Sequence, residues 1–120
     1  NLLDEKIIYN DKALKDFGIE TRNHNFDVLI PKGTALPVRV TKDYTTEKDN
    51  QEFIELNVFQ RESINSSSKK TYDEGITLVD TLKIEGIPPR KVNELTIKVT
   101  FELTKDDILE LEVEIEDING

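Results

Sequence analysis

Alternation of apolar and polar positions is clearest near the C-terminus, where Leu95, Ile97, Val99, Phe101 and Leu103 are separated by Thr96, Lys98, Thr100 and Glu102. A period of two puts these apolar side chains on one face of a β-strand. Past the polar turn Thr104-Lys105-Asp106-Asp107 the pattern resumes, with Leu109, Leu111, Val113 and Ile115 alternating with Glu110, Glu112, Glu114 and Glu116. The two runs predict an antiparallel hairpin. A third alternation, Ile54, Leu56 and Val58 against Glu55 and Asn57, predicts a half-buried strand over Glu52 to Gln60. Weaker strands are predicted over Phe26 to Ile30, Val38 to Thr46 and Ile76 to Ile84, the last running into the turn Glu85-Gly86-Ile87-Pro88-Pro89. Pro31 and Pro37 bracket the loop Lys32-Gly33-Thr34-Ala35, where each sets φ without breaking a central ladder. Asn65 to Lys70 reads as a serine-rich loop. Short strands with regular turn signals predict an all-β fold, an antiparallel two-sheet β-sandwich over residues 17–120. Residues 1–16 differ in character: a polar start, the short apolar run Ile7-Ile8-Tyr9, and polar residues again from Asn10 to Asp16, the pattern of a tether with a sticky patch.

Composition agrees with the strand pattern. The 120 residues are 36% hydrophobic, enough for one two-layer core, and with two alanines and no methionine they favour pleated surfaces over helices. Charge narrows the partners: 16 basic against 25 acidic residues leave a net charge of −9, which repels phosphate backbones and anionic lipid surfaces and attracts basic partners. Neither a nucleic-acid nor a membrane partner is expected. No apolar run approaches the roughly 20 residues that span a bilayer, and no basic-then-apolar secretory pattern opens the chain. The absence of cysteine excludes disulfides, thiolate metal sites and cysteine nucleophiles, and fits a reducing, cytoplasmic setting. The first residue is Asn1 and not methionine, as in a segment excised from a longer protein.

Catalytic chemistry finds little support. Nucleophilic catalysis needs a base beside the nucleophile, and the single histidine, His24, sits in the polar stretch Arg22-Asn23-His24-Asn25, where a plain loop residue is the simpler reading. A zinc site built mostly of carboxylates would be unusual. The row Glu110, Glu112, Glu114 and Glu116 places successive carboxylates about 7 Å apart, too far to chelate one ion unaided, so it reads as a solvated face that discourages edge-to-edge aggregation. No calcium-loop spacing and no glycine-rich phosphate cradle occur. Asn65-Ser66-Ser67 matches the glycosylation pattern, as a chance match in a serine-rich loop would. No metal or catalytic residue is therefore assigned. What remains is binding, with a cleft between the loops at one end of a sandwich able to hold an extended peptide.

The stretch Phe17-Gly18-Ile19-Glu20-Thr21 resembles the opening of the substrate-binding β-domain of the seventy-kilodalton heat-shock chaperones of the DnaK type. Leu29-Ile30-Pro31-Lys32-Gly33-Thr34-Ala35-Leu36-Pro37 follows at the family's distance, then Tyr44-Thr45-Thr46, Asp49-Asn50-Gln51 and Val58-Phe59-Gln60-Arg61-Glu62. Gly86-Ile87-Pro88-Pro89, Val99-Thr100-Phe101-Glu102-Leu103 and Ile108-Leu109 resemble later motifs, so the resemblance runs from about Asp11 to Asp117. It implies a sandwich that holds an extended apolar peptide between its loops. By position, Ile19, Tyr44, Ile54 and Leu56 then line a pocket for one substrate side chain, while Thr21, Thr45 and Gln51 hydrogen-bond the peptide main chain. The alternative for the four apolar residues is ordinary core.

Three positions depart from the family. Arg22 and Glu47 occupy the places where two usually apolar residues arch over the peptide, and they form either a salt bridge or two unpaired surface charges. Asp107 stands where a glycine is common, which predicts a changed last hairpin, and the serine-rich loop is longer than usual. Ile7, Ile8 and Tyr9, with Asp11 just beyond, resemble the apolar interdomain linker that docks on an ATPase domain; an edge strand or a tail is the alternative.

The resemblance therefore implies a chaperone module of the stress response with no enzymatic activity of its own. ATP and Mg would be bound by an ATPase domain in cis, a helical lid would follow the sandwich, and co-chaperones would cooperate. Partners are unfolded or extended hydrophobic peptides, with self-association through the linker as a hazard. A closed groove serving as an interaction module is the second reading. A hydrolase or sugar-binding sandwich is disfavoured, since no nucleophile–histidine pair and no tryptophan platform is present.

Overall fold

The computed structural model describes residues 11–62 and 67–118. It contains the strands β1 (Asp16–Thr21), β2 (Asn25–Ile30), β3 (Val38–Tyr44), β4 (Phe53–Arg61), β5 (Ile76–Glu85), β6 (Leu95–Leu103) and β7 (Leu109–Asp117), with one turn of 3-10 helix at Arg22–His24. All pairings are antiparallel. Four strands form one sheet in the order β2-β1-β4-β5, and three form the other in the order β3-β6-β7.

The alternation seen in the sequence decides which side chains the sheets share. Register Val99↔Val113 and Leu103↔Leu109 forms the expected hairpin of β6 and β7, and the odd-numbered apolar residues of β6 are buried. From the other sheet, Ile19, Leu29, Ile30, Ile54, Leu56 and Val58 join them in one core. On β7 the glutamates are exposed and their apolar neighbours half-buried, as for an edge strand of the three-stranded sheet.

Strand β1 announces itself only weakly by alternation, because Phe17 and Ile19 are its only two apolar side chains and Gly18 stands between them. Gly18 is required by close approach: a Cβ there would lie 2.0 Å from the Asp27 carbonyl oxygen, and the β1–β2 register shifts beside it. Strand β3 ends at Tyr44, two residues before the expected Thr46, and β5 extends to Glu85. At the β6–β7 turn, Asp107 takes φ 61°, so the residue in glycine's place retains a left-handed conformation.

Ile7, Ile8 and Tyr9, and the Asn65-Ser66 part of the acceptor pattern, lie outside the described residues. Asp11 to Ala13 run against the β2–β3 loop: Leu36 N–H donates to the Asp11 carbonyl at 2.8 Å and Ala13 N–H to that of Thr34 at 2.8 Å. Ala13 is buried in the core.

Candidate functional site

At one end the two sheets part. A cleft of about 1360 Å³ opens between the ends of β1 and β4 on one side and β3 and β6 on the other, roofed by the β1–β2 and β3–β4 loops. Ile19, Tyr44, Ile54 and Leu56 all line it, as do Thr21, Thr45 and Gln51 and the arch positions Arg22 and Glu47. Asp11 is not among the lining residues; it sits against Leu36. Sequence reasoning missed the contribution of β6 and the segment before it, where Val92, Asn93, Leu95 and Ile97 complete the wall. The alternation of Leu95 and Ile97 was visible; their position beside the cleft was not.

The floor is core as well as cleft. Ile19, Ile54 and Leu56 are 2%, 4% and 6% exposed and belong to the central cluster. These three residues are core, at the end of it that adjoins the cleft.

Tyr44 is half-buried at the end of β3, and its hydroxyl donates to Asp27 Oδ2 at 2.5 Å. The Lys42 ammonium lies 2.8 Å from the same carboxylate and 5.9 Å from the Tyr44 ring centroid. Burial, and then the hydrogen bond to Asp27 and its negative charge, push the Tyr44 hydroxyl far above the usual tyrosine range, so it stays a donor.

Loop polar groups are largely spent on one another. Arg22 donates to the main-chain carbonyl of Glu47 at 3.3 Å, so the two residues are joined by a guanidinium–carbonyl bond, neither the carboxylate salt bridge nor the two unpaired charges expected. Gln51 accepts from Glu47 N–H at 3.0 Å and donates to the Phe53 carbonyl at 2.7 Å, while Thr21 donates to the Asn25 carbonyl at 3.4 Å. Thr45 Oγ1 accepts from Asn93 N–H and Asp49 from Val92 N–H, both at 2.9 Å, which braces the β3–β4 loop against the start of β6.

Behind the arch positions, Glu20 accepts from Thr71 and, at 3.1 Å, from Asn57 Nδ2, with His24 Nδ1 at 3.0 Å. Burial raises this carboxyl, but the hydrogen bonds from Thr71, His24 and Asn57 outweigh it and hold Glu20 below the usual carboxylate range. With Glu20 behind it, the rim is acidic: Asp43, Glu47, Asp49, Glu52 and Glu55 line the cleft beside Arg22 and Lys48.

The family model described as Hsp70 protein matches residues 4–119. The chain belongs to the Hsp70 family. It is 34% identical over 110 residues to the chaperone protein DnaK of Halobacterium salinarum, covering 92% of this chain and 16% of that protein. A heat shock cognate HSP70 protein of Trypanosoma brucei brucei is 35% identical over 103 residues, covering 86% of this chain and 14% of the relative. The chaperone protein DnaK of Deinococcus deserti is 32% identical over 113 residues, with 86% of this chain and 17% of the relative covered. This Hsp70-family chain thus spans about one sixth of the length of the curated relatives it matches.

Proposed function

We propose that this Hsp70-family chain is a substrate-binding β-domain that reversibly holds short, extended, hydrophobic segments of unfolded proteins. The observation that carries the reading is the cleft itself, in which an apolar floor of Ile19, Ile54 and Leu56 is walled by Tyr44 and roofed by two polar loops. Burying one substrate leucine there contributes roughly 1.5–3 kcal/mol before ordering costs. The acidic rim favours basic residues flanking the apolar segment, acting on encounter more than on final affinity.

On this reading the chain performs no chemistry. ATP and Mg belong to an ATPase domain of the longer protein, which speeds binding and release by coupling two conformations, with co-chaperones acting on that cycle in the cytoplasm. The run Ile7-Ile8-Tyr9 with Asp11 serves as the linker between the two domains, and residues 17–120 form the binding unit.

A second reading, a groove-closed interaction module, draws on the Arg22 bond to Glu47 across the cleft mouth and on the engaged amide of Gln51. Titrating the domain into a fluorescent seven-residue peptide with a leucine centre and basic flanks, followed by anisotropy at low and high salt, separates the two. Saturable binding, weakened in a folded Ile54→Ala variant and abolished in Ile54→Asp, is the expected result. A folded wild type that binds at neither salt hands the function to the closed module.

A further inference from the structure

We infer that Asp27 is a positioning residue for the cleft: by holding the Tyr44 hydroxyl it fixes the aromatic wall of the pocket that receives a ligand's central side chain. The inference rests on the peptide-binding reading and deepens it by naming what sets the pocket's shape.

Tyr44 needs such a tie. It is the last residue of β3, and β3 is an edge strand whose partner is β6, through the pair Tyr44↔Ile97. Backbone pairing therefore holds it from one side. The second hold comes from the other sheet, where Asp27 lies on β2, itself an edge strand, directly opposite Ile19 of the cleft floor. Residues opposite each other in an antiparallel pair share a face, so Asp27 projects inward at a position where the strand pattern calls for an apolar side chain. An inward carboxylate on an edge strand is stable when it is paired, and here β3 supplies both partners, the Tyr44 hydroxyl at 2.5 Å and the Lys42 ammonium at 2.8 Å.

The geometry also decides which part of Tyr44 a ligand meets. Asp27 is not among the residues lining the cleft, whereas Tyr44 is. The hydroxyl is satisfied behind the wall, and the ring offers its carbon surface to the pocket. Without Asp27 the half-buried hydroxyl has to find another partner, and the ring turns with it. The result is a pocket of different width, which a large central side chain feels more than a small one.

The test compares two seven-residue peptides with basic flanks, one centred on leucine and one on alanine, by anisotropy with the full 120-residue chain. Asp27→Ala is expected to weaken leucine-peptide binding about three- to tenfold and alanine-peptide binding less, so that the leucine-to-alanine preference falls. Asp27→Asn keeps an acceptor oxygen and retains most of the preference. Tyr44→Phe lowers the preference by itself, and Asp27→Ala adds nothing further in that background. A fall in melting temperature with the preference unchanged, in Asp27→Ala or in Tyr44→Phe, overturns the inference and leaves Asp27 a tie between sheets. If Asp27→Ala does not fold, Tyr44→Phe alone carries the same decision. A wild type that binds neither peptide overturns the peptide-binding reading, and this inference with it.

Discussion

The two ends of the sandwich are built from the same strands and solve opposite problems. At the cleft end, the starts of β4 and β6 and the ends of β1 and β3 diverge, and apolar floor residues meet open volume. At the far end, where β1 begins and β4 finishes, Arg61 Nε donates to Asp16 at 2.8 Å with the two side chains only 15% and 9% exposed. Asp16 also accepts from Lys32 N–H at 2.8 Å, and Arg61 donates to the Ser68 carbonyl at 2.7 Å and stacks over Phe26 at 5.4 Å. One end carries a buried, satisfied ion pair; the other spends its polar groups on the loops around an opening. On the peptide-binding reading, the buried pair serves stability alone, while the floor residues of the open end serve stability and binding together.

The largest effect expected follows from the far end. Arg61→Ala leaves Asp16 buried without its cation, and breaking a buried pair from one side costs about 3–5 kcal/mol. Chemical denaturation should show the unfolding free energy falling by that amount, with peptide affinity unchanged at temperatures where the variant is folded. A large affinity loss in a folded Arg61→Ala protein would break the division between the two ends.

Where the sequence was legible, one strand carried its own signal. The hairpin of β6 and β7 could be read residue by residue because each alternates strictly between apolar and polar positions. Strand β1 could not, since it offers only Phe17 and Ile19 as apolar positions, and its other face is set by distant partners, Gly18 by the β2 backbone it touches and Asp16 by Arg61, 45 residues away. The cleft residues could be placed by the resemblance, while periodicity alone made Ile54 and Leu56 core, which they also are. Nothing local marks Asp27, 17 residues from Tyr44 and on the other sheet, or tells that Arg22 bonds the main chain of Glu47 and not its carboxylate. Those pairings depend on how the sheets stack, and pattern along a chain carries no record of stacking.

At the open end, truncation of the floor should move both properties together. Leu56→Ala removes a core side chain that also faces the cleft, so a cost of about 2–5 kcal/mol in stability is expected. Affinity for a leucine-centred peptide should fall alongside it, unlike the Arg61 variant. Calorimetry and anisotropy on one preparation test the pairing of effects.

A smaller effect is expected at the roof. The Arg22 bond to the Glu47 carbonyl is exposed and long at 3.3 Å, so its loss in Arg22→Ala is worth about 0–1 kcal/mol. Stability should hardly change, while peptide dissociation in a stopped-flow chase should quicken by up to about fivefold. Slower dissociation, or tighter binding, would instead mark the strap as a competitor of the peptide and favour the closed-module reading.

The smallest expected effect concerns acid. Glu20 sits behind the roof, and its folded-state pKa lies below the ordinary value of 4.5, because Thr71, His24 and Asn57 favour the charged form more than burial opposes it. Between the folded and ordinary values the unfolded chain binds more protons than the folded one, so stability rises with pH through that window. The contribution is fully present above about pH 4.5 and is lost as pH falls through the lowered value. Glu20→Gln removes the titration, so unfolding free energies of variant and wild type should converge on acidification and differ by about 1 kcal/mol or less near neutrality. Because Glu20 braces the β1–β2 loop that carries Arg22, the same titration should speed peptide release in the wild type and leave the Glu20→Gln protein unaffected. A pH dependence of release that survives the substitution would place the acid-sensitive group at another point on the rim, among the carboxylates that face the cleft directly.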